Sequence, residues 1–457
     1  MSKNSILLAV AGMALAGVAL AQTANPTLEA SRAVRAEEMA LVGVTALRPC
    51  VSPLNPPAGE CEAANFDEAK ANPWPLPDPL VFADGTRVTT KAQWRKRRAE
   101  LLEIFDREIF GRIPAHTPKV SWRVDETLHE NFNGVPVVTQ KLTGHVDNSA
   151  DPAITVDIKV NISVPESAKG KHVPAVMALA FLRPFILPDG RTFPADPHPD
   201  WKDQTVAKGW AAIAYDNTST QPDNGAGLHA GIIGLVNRGG PRKPDDWGAL
   251  QAWGWGASRF LDYLETDSDI DARRVAIMGH SRNGKAALVM MAHDPRFAIG
   301  FISSSGAGGA APYRRYYGET IASIENPTLF HWMAPNFLKY AAVGKTANDV
   351  PVDTDELIAL CAPRPLFLGG GVEQPDAPSN KIGDLWVDPV GSFKAEVAAG
   401  PVYVLLGAKG IAADTPAPTP SVLVDSGELA FRRHDQGHTP NPNWPYFLAY
   451  AQRYFKS

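Results

Sequence analysis

Short continuous apolar runs recur through the second part of the chain, and helical segments separate them. A run of this kind is typical of a strand that is covered on both faces, as in a parallel sheet. One intervening helix is clear, because apolar side chains recur three and four residues apart from Leu250 to Leu264. This alternation predicts an α/β fold, a mostly parallel central sheet with helices on both faces in a three-layer sandwich. The predicted strands are 173–181, 210–215, 275–278, 297–302, 365–368 and 402–406.

The first part of the chain has other patterns. Residues 91–110 place apolar side chains on one helical face, and residues 135–146 and 154–164 alternate as antiparallel strands do. Residues 22–88 are rich in Pro, Ala and Asp with weak periodicity, which predicts an extended N-terminal arm with one helix near Glu37. A single α/β domain is then expected over residues 89–457.

The first 21 residues have the pattern of a signal peptide. Lys3 gives a positive start, residues 6–21 are apolar, and Ala19-Leu20-Ala21 is a small-x-small cleavage site. A membrane anchor is the alternative, but the apolar run is short of the roughly 20 residues that span a bilayer. We expect a secreted or periplasmic protein.

Composition narrows the classes of partner. The chain has 457 residues, of which 44% are hydrophobic and 20% charged, as in an ordinary globular protein. A formal net charge of -5 without a basic stripe argues against nucleic-acid binding. No second segment suits a membrane span, and nothing resembles an appended binding module. We therefore expect a lone domain that is a monomer.

Three cysteines bear on the compartment. Cys50 and Cys61 lie in the Pro-rich arm and are able to pair in an oxidising environment, although the sequence alone leaves this open. Cys361 follows an apolar run and is expected to be a buried, inert thiol.

The stretch MGHSRNGKAAL, residues 278–288, holds the first candidate for chemistry. Ser281 lies between a predicted strand and a predicted helix, and Gly279 and Gly284 permit a tight turn. This arrangement is typical of the nucleophile elbow of α/β-hydrolases, although the spacing is G-x-S-x-x-G rather than G-x-S-x-G. The alternative is a serine that only caps the helix.

A serine nucleophile needs a histidine as base and a carboxylate that orients the histidine. In α/β-hydrolases the acid follows the serine along the chain, and the histidine follows the acid. Both residue types occur where this order requires them, the acids after the strand at 365–368 and the histidines near the C-terminus. The residues alone leave several candidates open. The acids are Glu373, Asp376, Asp384 and Asp388, and the histidines are His434 and His438.

Two cations follow the serine. The backbone N–H of Arg282 has the position of an oxyanion-hole donor, and its guanidinium is a further donor toward the same oxygen. Lys285 is four residues from Ser281 and lies on the same helical face. Cations at a helix N-terminus favour an oxygen-rich or acidic substrate, whereas the alternative is that both pair with acids at the surface.

The sequence indicates no metal or cofactor. The stretch DPHPD gathers Asp196, His198 and Asp200, but prolines separate them, and the sequence has neither an H-E-x-x-H motif nor a C-x-x-C pair. We interpret this stretch as a surface loop.

The stretch GHSRNGKAA resembles the G-C/H-S-R-x-G-K-x-A signature of the glucuronoyl esterases, carbohydrate esterase family 15. The resemblance covers roughly residues 90–457. Five further motifs carry it: SSSGAGGAAPYRRYYGET, HWMAPNF, ALCAPRPLFL, GDLWVDPVGSF and GHTPN.

The resemblance implies an α/β-hydrolase that cleaves the ester between 4-O-methyl-glucuronic acid of glucuronoxylan and lignin alcohols. It implies Ser281 as nucleophile, His438 as general base, Asp384 as the acid that orients the histidine, and Arg282 as support for the oxyanion. It also implies that the sugar is held by Lys285, Glu319 and Trp386.

The sequence departs from the family pattern in two places. Some members carry the triad acid as a glutamate before the Gly-rich block, where this chain has Ser303, Ser304 and Ser305. The loop 369–383 is also longer than usual because VEQPDAPSNKI is inserted, which makes Glu373 and Asp376 rivals to the expected acid. Two other functions stay open: an acetyl-xylan or general carboxylic esterase, and a carbohydrate-binding protein with a degenerate site.

Overall fold

The structure is a computed structural model that describes residues 25–52, 61–71, 73–182, 184–186, 192–193, 200–376 and 381–455. The expected signal peptide lies outside these residues, as do Asp196 and His198 of the DPHPD stretch. Among the helices described, none is both long and apolar enough to cross a bilayer.

A ten-stranded sheet forms the centre of the molecule. Its strands lie in the order β13-β14-β12-β11-β10-β6-β9-β5-β4-β3, and the six from β14 to β9 are parallel. The edges are antiparallel, with β13 at one and the β5-β4-β3 meander at the other. Four short strands, β1, β2, β7 and β8, pair outside this sheet. The bounds are β1 Cys50–Ser52, β2 Cys61–Ala63, β3 Val120–Phe132, β4 Val135–Val146, β5 Asp157–Pro165, β6 Val173–Leu179, β7 Phe185–Ile186, β8 Thr192–Phe193, β9 Ala211–Asp216, β10 Ile270–His280, β11 Ile299–Ser303, β12 Leu366–Gly370, β13 Leu423–Asp425 and β14 Leu429–Arg433.

Helices cover both faces of the sheet, because successive strand residues point to opposite sides. On β10, Val275 and Ile277 join one core, whereas Ala276 and Met278 join the other. The second core includes Trp201 and Trp444, whose rings stack at 5.4 Å. This three-layer arrangement confirms the predicted α/β-hydrolase fold. The helices are α1 Pro26–Leu41, α2 Lys91–Glu108, α3 Asp200–Val206, α4 Asn217–Thr220, α5 Gly231–Asn237, α6 Ala249–Leu264, α7 Arg282–His293, α8 Ile321–Ile324, α9 Thr354–Leu360, α10 Pro389–Leu406 and α11 Trp444–Ala451.

The predicted strand at 402–406 is wrong, because these residues are the end of α10. Asp388 accepts a hydrogen bond from the backbone N–H of Gly391 and caps the helix, and Pro389 occupies its first turn. Gly407, with φ of 92°, ends it. A buried helix and a buried strand both have continuous apolar runs, so periodicity alone does not separate them. The last two strands are instead β13 and β14.

The N-terminal arm contains the helix that the sequence predicts near Glu37. Helix α1 is 16 residues long and begins after Asn25, whose side chain accepts from the N–H groups of the first turn. Glu38 of α1 forms a buried ion pair with Arg242, with nitrogen–oxygen distances of 2.8 and 2.9 Å. The arm also has a disulfide between Cys50 and Cys61, whereas Cys361 is a buried free thiol.

We expect the Glu325→Gln variant to be more stable than the wild type at alkaline pH. Burial raises the pKa of Glu325 well above its usual value, although Arg35 and Arg242 oppose this and Glu38 adds to it. The folded protein therefore keeps the proton at pH values where the unfolded chain, with a pKa near 4.3, has lost it. Stability then falls as pH rises, because the folded state binds more protons.

Glutamine is isosteric with the protonated acid and does not titrate, so the variant loses this dependence. Thermal unfolding at pH 8 should show a Tm higher by about 2–4 °C, and the difference should vanish near pH 4.5. Glu130→Gln, on an exposed part of β3, serves as the control and should behave as the wild type. A Tm difference that is the same at both pH values would contradict the prediction.

Candidate active site

Ser281 lies in a tight turn between the end of β10 and the start of α7. Its backbone has φ of 58° and ψ of -128°, a strained conformation for a residue with a side chain. The turn is packed so closely that a Cβ on Gly279 would overlap the carbonyl oxygen of Asn283. Although Ser281 occupies the cap position of α7, its side chain makes no capping hydrogen bond among the described residues. The geometry therefore favours a nucleophile elbow over a helix cap.

The imidazole of His438 is bound to a buried carboxylate. Its Nδ1 lies 2.6 Å from Oδ1 of Asp384, which is fully buried, while the histidine side chain is 27% exposed. The other carboxylate oxygen accepts hydrogen bonds from the hydroxyl of Ser304, at 2.6 Å, and from the backbone N–H of Gly371. Three donors thus fix the orientation of this carboxylate.

The three other candidate acids do not contact His438 in the structure. Glu373 and Asp376 are exposed on the inserted loop. Asp388 is buried, but it accepts a hydrogen bond from Nε of Arg315 at 2.6 Å. Of the four candidate acids, Asp384 is the one whose carboxylate meets His438 in the structure.

His434, the other candidate histidine, is buried within its own loop. It is completely buried, and its Nδ1 accepts the backbone N–H of Gln436 at 3.2 Å. Burial lowers the pKa of His434, which keeps the ring neutral. This histidine shapes the loop that carries His438.

The loop after β14 brings His438 beside the serine turn. Its ring centroid is 4.4 Å from that of His280, the residue directly before Ser281. The ring of His280 lies 3.1 Å from the hydroxyl of Ser303, at the end of the neighbouring strand β11. Serine, histidine and acid therefore all meet at the carboxyl edge of the parallel sheet, where ligand sites of such sheets lie.

The three serines at positions 303–305 have a structural role. Ser304 has φ of 48° and turns its hydroxyl onto Asp384, while Ser305 accepts the backbone N–H of Ala310 at 2.9 Å. The triplet thus supports the later acid rather than supplying one of its own.

Arg282 is held beside the turn by the carboxylate of Asp223, which no motif in the sequence singles out. Its Nη1 donates to Oδ2 of Asp223 at 2.6 Å, and its guanidinium lies 5.4 Å from the ring centre of Trp332. Oδ1 of the same carboxylate lies 2.9 Å from Nε2 of His331 and accepts from Nε1 of Trp332 at 2.7 Å. Burial alone would raise the pKa of Asp223, but Arg282 and these contacts hold it below its usual value. The sequence feature that points to Asp223 is its position in the loop after the predicted strand at 210–215.

Lys285 is buried and fully engaged by the protein. Its ammonium group donates to the carbonyl oxygens of Ser305 and Ala307, at 2.7 and 2.6 Å, and to the carboxylate of Glu319 at 2.6 Å. Burial lowers the pKa of Lys285, and the adjacent carboxylate opposes this. An ammonium group has three protons, and these three contacts account for all of them.

Glu319 and Trp386 come together although 66 intervening residues separate them. The backbone N–H of Glu319 donates to the carbonyl oxygen of Trp386 at 2.8 Å. Gly318 permits this approach, because its φ is 59° and a Cβ there would overlap the same carbonyl oxygen. Trp386 is half-buried and lies on the short 3-10 helix Gly383–Val387, which also carries Asp384. One helix therefore places both the acid and the tryptophan.

The seven residues implied by the family resemblance lie at this edge of the sheet or in the helices and loops around it. In the part of the chain that the structure describes, no group of three His, Cys, Asp or Glu residues is arranged to bind a metal ion.

Comparison with known proteins gives one consistent family. The family model described as glucuronyl esterase of fungi matches residues 149–407. A carbohydrate esterase named MZ0003, from an unknown prokaryotic organism, is 30% identical over 413 residues, which are 85% of this chain and 92% of that protein. The 4-O-methyl-glucuronoyl methylesterase 1 of Wolfiporia cocos is 29% identical and covers 73% of this chain and 72% of its own.

A solved structure agrees with these sequences. A glucuronoyl esterase of carbohydrate esterase family 15 from Teredinibacter turnerae has 37% identity and a TM-score of 0.82, over 93% of this chain and 100% of that one. Because sequence and structure both match over most of the chain, the protein belongs to the glucuronoyl esterases of carbohydrate esterase family 15 and is a carboxylic ester hydrolase.

Proposed function

We propose that the protein hydrolyses the ester between 4-O-methyl-glucuronic acid of glucuronoxylan and lignin alcohols, through a Ser-His-Asp triad and an acyl-enzyme. The observation that carries the proposal is the hydrogen bond between His438 and buried Asp384, directly beside the strained turn of Ser281. The names of relatives, such as 4-O-methyl-glucuronoyl methylesterase, support the uronate as the acyl part.

In the first half-reaction the hydroxyl oxygen of Ser281 attacks the ester carbonyl. His438 accepts the hydroxyl proton at Nε2, while Asp384 holds the Nδ1–H and stabilises the imidazolium that forms. The tetrahedral intermediate collapses, the bond to the alcohol oxygen breaks, and His438 gives the proton to the leaving alcohol. The uronoyl group remains on the serine as an ester.

The oxyanion of the intermediate lies at the N-terminus of α7. The backbone N–H of Arg282 is free of an intrahelical partner by its position in the first turn. Its guanidinium adds a charged donor, and Asp223 and Trp332 fix its position before substrate arrives. Such preorganised donors stabilise the transition state more than the ground state.

In the second half-reaction water takes the place of the alcohol. His438 removes a proton from the water, whose oxygen attacks the acyl carbonyl. Collapse of the second tetrahedral intermediate breaks the bond to Ser281, which regains its proton from the histidine. The products are the free uronic acid and the enzyme in its initial state.

Glu319 and Trp386 recognise the sugar. The carboxylate of Glu319 accepts hydrogen bonds from sugar hydroxyls, and Lys285 holds that carboxylate in place. The half-buried indole offers a flat apolar face and an N–H to the pyranose ring.

The location follows from the N-terminus and the cysteines. Residues 1–21 direct the chain to a secreted or periplasmic compartment, and the Cys50–Cys61 disulfide suits an oxidising one. The enzyme acts there as a monomer on carbohydrate, without cofactor, nucleic acid or membrane partner.

A comparison of benzyl glucuronate with benzyl acetate tests the proposal, because the two esters share the leaving alcohol and differ in the acyl part. We expect kcat/KM to be at least about 10²-fold higher for the uronate, since only it makes the sugar contacts. Preference for the acetate would favour the general or acetyl-xylan esterase. Xylan binding with no hydrolysis of either ester would favour the carbohydrate-binding protein.

A further inference from the structure

A short part of the N-terminal arm contacts the loop that leads into Glu319. We call residues 65–68 the clamp segment. The carbonyl oxygen of Asn65 accepts the backbone N–H of Gly318 at 2.9 Å, and its side-chain amide donates to the carbonyl oxygen of Tyr316 at 2.6 Å. The ring of Phe66 meets that of Tyr317 edge-on, with centroids 5.7 Å apart. The arm thus holds this loop by backbone, amide and ring contacts.

An ion pair extends the same contact inward. The carboxylate of Glu68 accepts a hydrogen bond from Nη2 of Arg315 at 2.6 Å, and Nε of the same guanidinium donates to Asp388 at 2.6 Å. Arg315 is buried, with 3% of its side chain exposed, and its guanidinium also lies 5.1 Å from the ring centre of Tyr317. The arginine therefore links the clamp segment to the loop that follows Trp386.

The loop before Glu319 and the turn that carries Trp386 are in direct backbone contact. The N–H of Glu319 reaches the carbonyl oxygen of Trp386, and Gly318 has no space for a side chain at the crossing. A shift of residues 315–318 must therefore move the carboxylate, the indole or both.

We propose that the clamp segment is a positioning element for sugar recognition, which makes the N-terminal arm part of the substrate specificity of the enzyme. The clamp touches none of the reacting atoms and acts through Glu319 and Trp386. The Cys50–Cys61 disulfide closes the arm four residues before the clamp and limits its freedom. This inference rests on the proposed function, since it assigns the sugar site to those two residues.

The test is the double variant Asn65→Ala, Glu68→Gln, assayed on benzyl glucuronate and benzyl acetate. The variant loses the amide hydrogen bond to Tyr316 and the charged hydrogen bond to Arg315. We expect KM for the uronate to rise roughly three- to tenfold, with kcat within about twofold of the wild type. Turnover of the acetate, which makes no sugar contact, should be unchanged. Glu68→Asp with Asn65 intact should recover most of the affinity.

Glu29→Gln is the matched control. Glu29 is also an arm glutamate in an ion pair, and its side chain is 54% exposed against 52% for Glu68. The control should leave both substrates unaffected. A double variant with unchanged KM for the uronate, or with an equal loss on both esters, would overturn the clamp proposal. A wild-type enzyme that prefers benzyl acetate would instead overturn the proposed function, and the role of the clamp with it.

Discussion

Replacing Ser281 by alanine is expected to lower kcat for benzyl glucuronate by at least about 10⁴-fold. The methyl group leaves His438 and Asp384 in place but removes the oxygen that forms the acyl-enzyme. Because Ser281 is half-buried and makes no capping hydrogen bond among the described residues, the fold should be unaffected. Steady-state kinetics on the purified variant, with circular dichroism and thermal unfolding, measure both effects.

Ser163→Ala is a suitable control, because Ser163 is buried on β5 and bonds only to a neighbouring strand through Thr139 among the hydrogen bonds described. Its kcat should equal that of the wild type within about twofold. If Ser281→Ala kept more than about a hundredth of the wild-type kcat, Ser281 would not be the nucleophile and the proposed triad mechanism would be wrong.

The second large effect is expected for Asp384→Asn, with a loss in kcat of about 10³- to 10⁴-fold. The amide has nearly the shape of the carboxylate, so the Ser304 and Gly371 contacts limit any rearrangement. However, an amide N–H that faces Nδ1 of His438 favours the tautomer with the proton on Nε2. That nitrogen is then unable to accept the proton of Ser281. A pH profile of kcat/KM separates this loss from a simple shift in the histidine titration.

The inserted loop supplies the comparison for this variant. Glu373→Gln and Asp376→Asn should keep the wild-type rate, because both side chains are exposed and Asp384 already occupies the partner position. The opposite outcome, with activity lost in a loop variant and retained in Asp384→Asn, would assign the acid to the insertion.

The fold could be predicted from the sequence where a strand is buried on both faces, because the buried residues of such a strand are apolar on both faces. Strands such as β6, β9 and β10 are covered on both sides, so their runs are continuous and easily read. The sequence analysis missed β3, whose residues are mostly exposed and have no apolar alternation. It also mistook the end of α10 for a strand, since that helix is apolar around much of its circumference.

The candidate site was predictable in its chain order but not in its pairings. Serine, acid and histidine follow the strands that the fold requires, yet the residues alone left four acids open. The choice depends on how the loop after β12 folds back, which no local pattern encodes. The same holds for the pairs Arg282–Asp223 and Glu68–Arg315, whose partners are 59 and 247 residues apart.

The 3-10 helix Gly383–Val387 has a consequence for the engineering of the enzyme. Asp384 and Trp386 are two residues apart on one turn, so under the proposed mechanism an insertion or deletion inside that turn changes both rate and sugar preference. A point substitution at position 386 keeps the length of the turn, and a change of length in the preceding loop 372–382 keeps the spacing of Asp384 and Trp386. A directed-evolution library aimed at new uronates should therefore randomise position 386 at constant loop length and leave length changes to the preceding loop.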